Sequence, residues 1–176
     1  MTLDETVKIV KIISPFVTLL TVYIVGVWLN SRLENLKSRL QLDHIIIKKR
    51  ADIYAEIQED LNDIYGYLKR VGAWKDLVPK DIVARKRKVD KKMYVTRPYW
   101  SKEMFSSYEA FMGVCFVTNR GHKRDAGIIG DIKMYQGLKN WEQEFEGSFE
   151  LGFDESKLDK SNKKLFQALS KDFGVE

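Results

Sequence analysis

Eight cations crowd residues 80–97 (Lys80, Arg85, Lys86, Arg87, Lys88, Lys91, Lys92 and Arg97) against two acids, Asp81 and Asp90. The whole chain carries a net charge of only +5, so everything outside this stretch is slightly acidic. Such a run has two chemical readings. It can neutralise the phosphates of a nucleotide, a nucleic acid or anionic lipid headgroups, with Tyr94, Tyr99 and Trp100 close enough in sequence to stack bases. It can also be balanced within the fold or between subunits, because residues 140–155 hold Glu142, Glu144, Glu146, Glu150, Asp154 and Glu155 and no cation. Surface pairs are common and individually weak, which favours complementation or plain solvation over a polyanion site. The candidate anion- or lipid-binding set is Arg85, Lys86, Arg87, Lys88, Lys91, Lys92 and Arg97.

Other chemistry is sparse. The two histidines, His44 and His122, have no Cys or His at ligand spacing, so no metal or haem site is expected. The single cysteine, Cys115, falls on an apolar helical face and reads as a packing residue. No glycine-rich phosphate loop of the usual patterns occurs. The run Asn119–Asp125 mixes glycine, cations and a histidine ahead of an expected helix, which suits a bound anion but equally a polar turn. Glu142 and Glu146, at helical i, i+4 spacing, read as a solvated acidic face. No cofactor and no catalytic activity are expected.

These side chains must be positioned by a chain with one pronounced apolar segment. Residues 12–31 are 20 consecutive uncharged residues, and a helix of that length rises ~30 Å, the thickness of a bilayer's hydrocarbon core. Only a helix satisfies its own backbone in lipid. Trp28 stands where an indole reaches the headgroups, and Pro15, with Ser14 as cap, fits a first turn. The run lacks a small-x-small cleavage site, which favours a retained anchor over a signal peptide. Arg32, Lys37, Arg39, Lys48, Lys49 and Arg50 follow the run, whereas Lys8 and Lys11 before it are offset by Asp4 and Glu5. That asymmetry places the C-terminal side in the cytoplasm. Ser14, Thr18 and Thr21 share one face of the span and are candidates for span self-association.

Beyond the anchor, Leu33, Leu36, Leu40, Ile47, Tyr54, Ile57, Leu61, Ile64, Leu68 and Val71 recur in steps of three and four, broken only by Asp43 and Arg50. The spacing predicts one helix running out of the membrane for ~60 Å as far as Val71, ended by Gly72. Ile45 and Ile46 widen its stripe and favour a bundle over a two-stranded rod. Pro79 opens a basic, weakly periodic segment that fits a short helix or a loop, with Met93–Thr96 as a conceivable strand. Ser101 as cap and the Trp100/Phe105 staple predict a helix over 102–118. Ile128, Ile129, Ile132, Tyr135, Leu138, Trp141 and Phe145 suggest another, weakened by three glycines. Gly147–Gly152 reads as a loop, and a last helix starts at the Asp154 cap, carries Leu158, Leu165, Leu169 and Phe173, and stops at Gly174.

The expected organisation is all-α. A short tail (1–11) and a single N-terminal transmembrane helix (12–31) lead into a cytoplasmic domain (32–176). There the long juxtamembrane helix joins an antiparallel bundle of about four to five helices. The function this architecture suggests is a membrane-anchored interaction or sensor module of a bacterial-type inner membrane, with its N-terminus outside. Its partners are the lipid bilayer and a second copy or another protein. The alternative is a ligand-gated effector of defence or toxin type, whose basic segment binds a nucleotide or other polyanion and whose spans perturb the bilayer.

Overall fold

The computed structural model describes residues 3–118, 121 and 125–175, with side-chain surroundings from residue 19 onward. The described residues are mostly helical. Helix α1 covers Leu3–Lys69, α2 Pro79–Val95, α3 Lys102–Cys115 and α4 Glu155–Asp172. The chain divides into two compact units, residues 1–45 and residues 46–176.

In the first unit, α1 already runs at Leu3, so Ser14 does not cap it and Pro15 lies in its interior. An interior proline removes one backbone hydrogen bond and crowds the carbonyl four residues before it. From Leu19 to Ile45 the large apolar residues stand exposed, among them Leu19, Ile24, Trp28, Leu33, Leu36 and Leu40. The Arg32 guanidinium sits 4.8 Å from the Trp28 ring. Among the described residues no helix is long and apolar enough to cross a membrane. Of the expected span at 12–31, the side chains of residues 12–18 lie outside the described residues.

The second unit owns the core. The stripe that is bare on the first part of α1 becomes buried on the last part, where Ile53, Ile57, Leu61, Ile64, Tyr67 and Leu68 are all at most 6 % exposed. They meet α2, whose buried face is Pro79, Ile82, Val83, Lys86, Val89 and Met93. The basic segment is therefore a helix through Val95, and its Met93–Thr96 end forms no strand. Pro79 does open it, and the Asp81 carboxylate reaches back to accept from the Val78 N–H at 3.1 Å. Ser101 caps α3 by accepting from the Met104 N–H at 3.0 Å, and Trp100 and Phe105 both enter the core. Asp154 caps α4 through the Lys157 N–H at 3.0 Å. The heptad-breaking Arg50 has a structural task of its own. Its guanidinium donates to the carbonyls of Tyr99 (2.6 Å) and Asp172 (2.5 Å), tying α1 to the 3-10 turn Arg97–Tyr99 ahead of α3 and to the end of α4.

Two expectations are corrected. First, α1 ends at Lys69, short of Gly72: Arg70, just past it, adopts φ 61°, and Val71 N–H bonds to Gly66 O at 2.9 Å. This is a left-handed C-terminal motif with arginine where glycine usually sits. Second, residues 128–145 form no α-helix. Cys115 ends α3, and a small sheet follows, with β1 Phe116–Val117 antiparallel to β2 Gly127–Ile129 and β2 parallel to β3 Phe149–Glu150. Thus the expected helix over 102–118 is three residues shorter, and the 147–152 loop contains a strand. Between β2 and β3 the chain makes 3-10 turns at Ile132–Met134 and Gln143–Ser148. What holds this segment is aromatic packing: Tyr135 stacks on Tyr67 at 4.7 Å between centroids and contacts Phe149 at 5.0 Å.

Candidate functional site: the two faces of the basic helix

Helix α2 carries the basic segment, and its cations divide by the face they occupy. Toward α1, Arg85, Lys88 and Lys92 meet Glu56, Asp60 and Asp63. The sequence spacings, three then four on α2 and four then three on α1, are complementary for antiparallel helices. Arg85 is 2.8 Å from one oxygen of Asp60 and 2.9 Å from Asp63. Lys88 lies 2.7 Å from the other Asp60 oxygen, although that oxygen has no aligned hydrogen bond, and Lys92 lies 2.5 Å from Glu56. Asp60 is 3 % exposed, so this is a partly buried charge cluster.

Lys86 is buried outright, pairing with Asp90 at 2.5 Å, and its ammonium sits 5.5 Å from the Phe116 ring. The Tyr108 hydroxyl donates to the same Asp90, and burial together with that carboxylate pushes the Tyr108 phenol far above its ordinary range. Arg97 stacks over Phe105 at 4.7 Å. Lys91 remains exposed beside Lys88, Lys92 and Val95, where a shallow hollow of about 250 Å³ opens.

The other face of α2 borders a cleft of about 740 Å³, a volume in the range of small-molecule sites. Lys80, Val83, Ala84 and Arg87 supply one wall; Asp125, Ala126, Glu144 and Ser148 supply the other. Two ion pairs cross it, Lys80 to Glu144 at 2.5 Å and Arg87 to Asp125. Hydrogen bonding raises the Lys80 ammonium pKa and lowers that of the Glu144 carboxyl.

The candidate set is thus split. Arg85, Lys88 and Lys92 are engaged by α1, Lys86 by Asp90 within α2, and Arg87 lines the cleft with Lys80. Of the acidic run 140–155, Glu144 pairs with α2, whereas Glu155 reaches Lys69 at 2.6 Å and Asp154 reaches Lys157 at 3.6 Å. The acids on α1 do not stand out in the sequence by number, yet their spacing against Arg85, Lys88 and Lys92 is a readable signal. For span self-association, Ser14 and Thr18 lie outside the described side chains, and Thr21 is exposed on α1. The Asn119–Asp125 run is described only at Gly121 and Asp125. Cys115 is fully buried, which pushes its thiol pKa up and disfavours the thiolate. Among the described residues no cluster of His, Cys, Asp and Glu is arranged to hold a metal ion.

Exposed pairs of this kind set an acid limit on stability. Lys92 holds Glu56, Lys80 holds Glu144, the Lys157 N–H holds Asp154 and Lys69 holds Asp159 below the ordinary carboxylate range. A carboxylate depressed in the folded state contributes stability above its unfolded value and loses it as pH falls through the folded one. The melting temperature of the chain is therefore expected to be flat above about pH 5 and to fall steadily toward pH 2. Salt should shrink the difference, because the pairs are solvated. A pH series followed by circular dichroism checks this, and a melting temperature that rises on acidification would contradict it. Comparison with protein-family models, curated proteins and solved structures returned no match for this chain.

Proposed function

We propose that the protein is a membrane-anchored, non-catalytic interaction module that associates with a second copy. In this reading the apolar start of α1 lies in a bacterial-type inner membrane with the N-terminus outside, and the helical domain sits on the cytoplasmic face. The observation that carries it is the change in burial along one helix. In the same three-four register, Ile57, Ile64 and Leu68 are buried by their own domain, whereas Leu33, Leu36 and Leu40 are 55–64 % exposed. A seam of leucines left bare while its continuation is covered favours a partner helix. The seam is short, since Asp43 ends it. Arg32 and Lys37 would also face each other in a parallel pair and weaken it. Association through these leucines is accordingly adjustable, which suits a sensor, and the uncharged run supplies the remaining contact.

Disulfide trapping in isolated membranes tests the proposal. Leu36→Cys is expected to give a dimer band and Ser38→Cys, on the opposite side of the seam, little. Buried Cys115 gives no background. Release of the chain by alkaline carbonate, or equal trapping at both positions, would remove the basis for it. A second reading, the ligand-gated effector, is favoured by the cleft beside Lys80 and Arg87.

A further inference from the structure

We infer that this cleft is a binding site for a small polyphosphate-bearing ligand, whose anionic groups replace Glu144 and Asp125 on Lys80 and Arg87. The inference rests on the second reading for its ligand class and location alone, and it holds whether or not binding moves the span.

The two faces of α2 differ in how firmly their cations are held. Arg85 is 26 % exposed and bonded to an acid that is almost wholly buried, so no outside anion can compete for it without opening the α1–α2 contact. Lys80 and Arg87 are 68 % and 65 % exposed, and their partners Glu144 and Asp125 are 59 % and 50 % exposed. Pairs this solvated are worth roughly 0–1 kcal/mol. A phosphate offers a guanidinium two parallel charge-assisted hydrogen bonds and carries more charge than a carboxylate.

Geometry sets the ligand class. Lys80 and Arg87 are seven residues apart on one helix, about 10 Å along its axis. A single phosphate satisfies one of them, whereas a chain of phosphates reaches both. Lys80 also lies in the first turn of α2, where the helix dipole favours negative charge. Val83, Ala84 and Ala126 give the cleft a small apolar lining, and Ser148 adds a hydroxyl on the far wall. Glu144 stands on the 3-10 turn Gln143–Ser148, whose hydrogen bonds are less well aligned than those of an α-helix, so its carboxylate can be displaced without disturbing the core.

The test is calorimetric titration of inorganic tripolyphosphate into the full chain in a neutral detergent at physiological salt. Lys80→Gln with Arg87→Gln should weaken binding at least tenfold. Lys160→Gln with Lys164→Gln removes the same charge from positions on α4 and should change it less than twofold. Glu144→Gln removes the competing carboxylate and should tighten binding threefold or more. Equal losses in the two double variants, or no tightening in Glu144→Gln, would overturn the assignment. Adding phosphatidylglycerol to the micelles separates the phosphate sources: retained binding supports a soluble ligand, and its loss would overturn that in favour of lipid headgroups. Tripolyphosphate binding without any change in Leu36→Cys trapping would count against gating while leaving the site in place.

Discussion

Asp60→Ala is expected to lower the stability of the helical domain by about 3 kcal/mol, the usual cost of breaking a buried ion pair from one side. The residue is 3 % exposed, accepts a hydrogen bond from Arg85 and is ion-paired with Lys88 as well. Removing it leaves the Arg85 guanidinium, itself three-quarters buried, with Asp63 as its remaining carboxylate. The loss therefore belongs at the lower end of the range for a stranded charge. Lys88 is exposed enough to turn to water and adds little. The measurement is thermal or urea unfolding, where a shift of this size in a domain near this length is roughly 10 °C. A double change, Asp60→Leu with Arg85→Met, should recover most of the loss, because a well-packed apolar pair commonly replaces a buried ionic one at no net cost. The outcome bears on function as well as folding. A change below about 0.5 kcal/mol, the size of an ordinary surface substitution, would mean that α1 does not hold the basic face of α2. Arg85, Lys88 and Lys92 would then be free for an outside polyanion.

The elements legible in the sequence are those whose ends are fixed locally. Ser101 and Asp154 announce α3 and α4 because a side-chain cap acts within three residues, and Gly174 closes α4 by taking φ 72° as a C-terminal glycine should. Gly72 misleads for the same reason: it too has a positive φ, but Arg70 has already taken the left-handed position that ends α1. Helix α2 looks only weakly periodic because Lys86 occupies a core-facing position, so its stripe seems broken until Asp90 and Phe116 are seen around the ammonium. The segment 128–145 reads as a helix because isoleucines and aromatics at helical spacing also suit short strands and turns. The deciding contacts come from elsewhere in the chain. At Gly130 an added Cβ would lie 3.1 Å from the Phe149 ring, a constraint that exists only once β2 and β3 are side by side. The charge pattern is half legible. Internal balance is the reading that composition favours, but the conspicuous acidic run 140–155 offers Glu144 to α2, while Glu56, Asp60 and Asp63 build the partly buried cluster.

Ile57→Ala and Leu36→Ala make the same kind of truncation in the same helix and the same register, and their effects are expected to separate completely. Ile57 is 1 % exposed among the residues that α1 gives to the core. Its truncation loses the transfer of about three heavy atoms from water and leaves a cavity, and should destabilise the domain by about 3 kcal/mol. Association should fall only as far as unfolding does. Leu36 is 56 % exposed, so its truncation should change the domain's unfolding by less than about 0.5 kcal/mol. The bare seam is Leu33, Leu36 and Leu40, and losing the central one removes roughly a third of the apolar area this seam offers a second copy, apart from what the uncharged run adds. At ~25 cal/mol per Å² that is enough to shift a marginal dimer toward monomer by tenfold or more. Unfolding curves and the dimer fraction in detergent, measured on both variants, give a two-by-two result with no free parameter. A Leu36→Ala chain that stays as dimeric as the parent would place the contact between copies somewhere other than the bare stretch of α1. A Leu36→Ala chain that melts early would mean that residues 33–40 are covered by their own domain, and the case for a second copy would lose its structural footing.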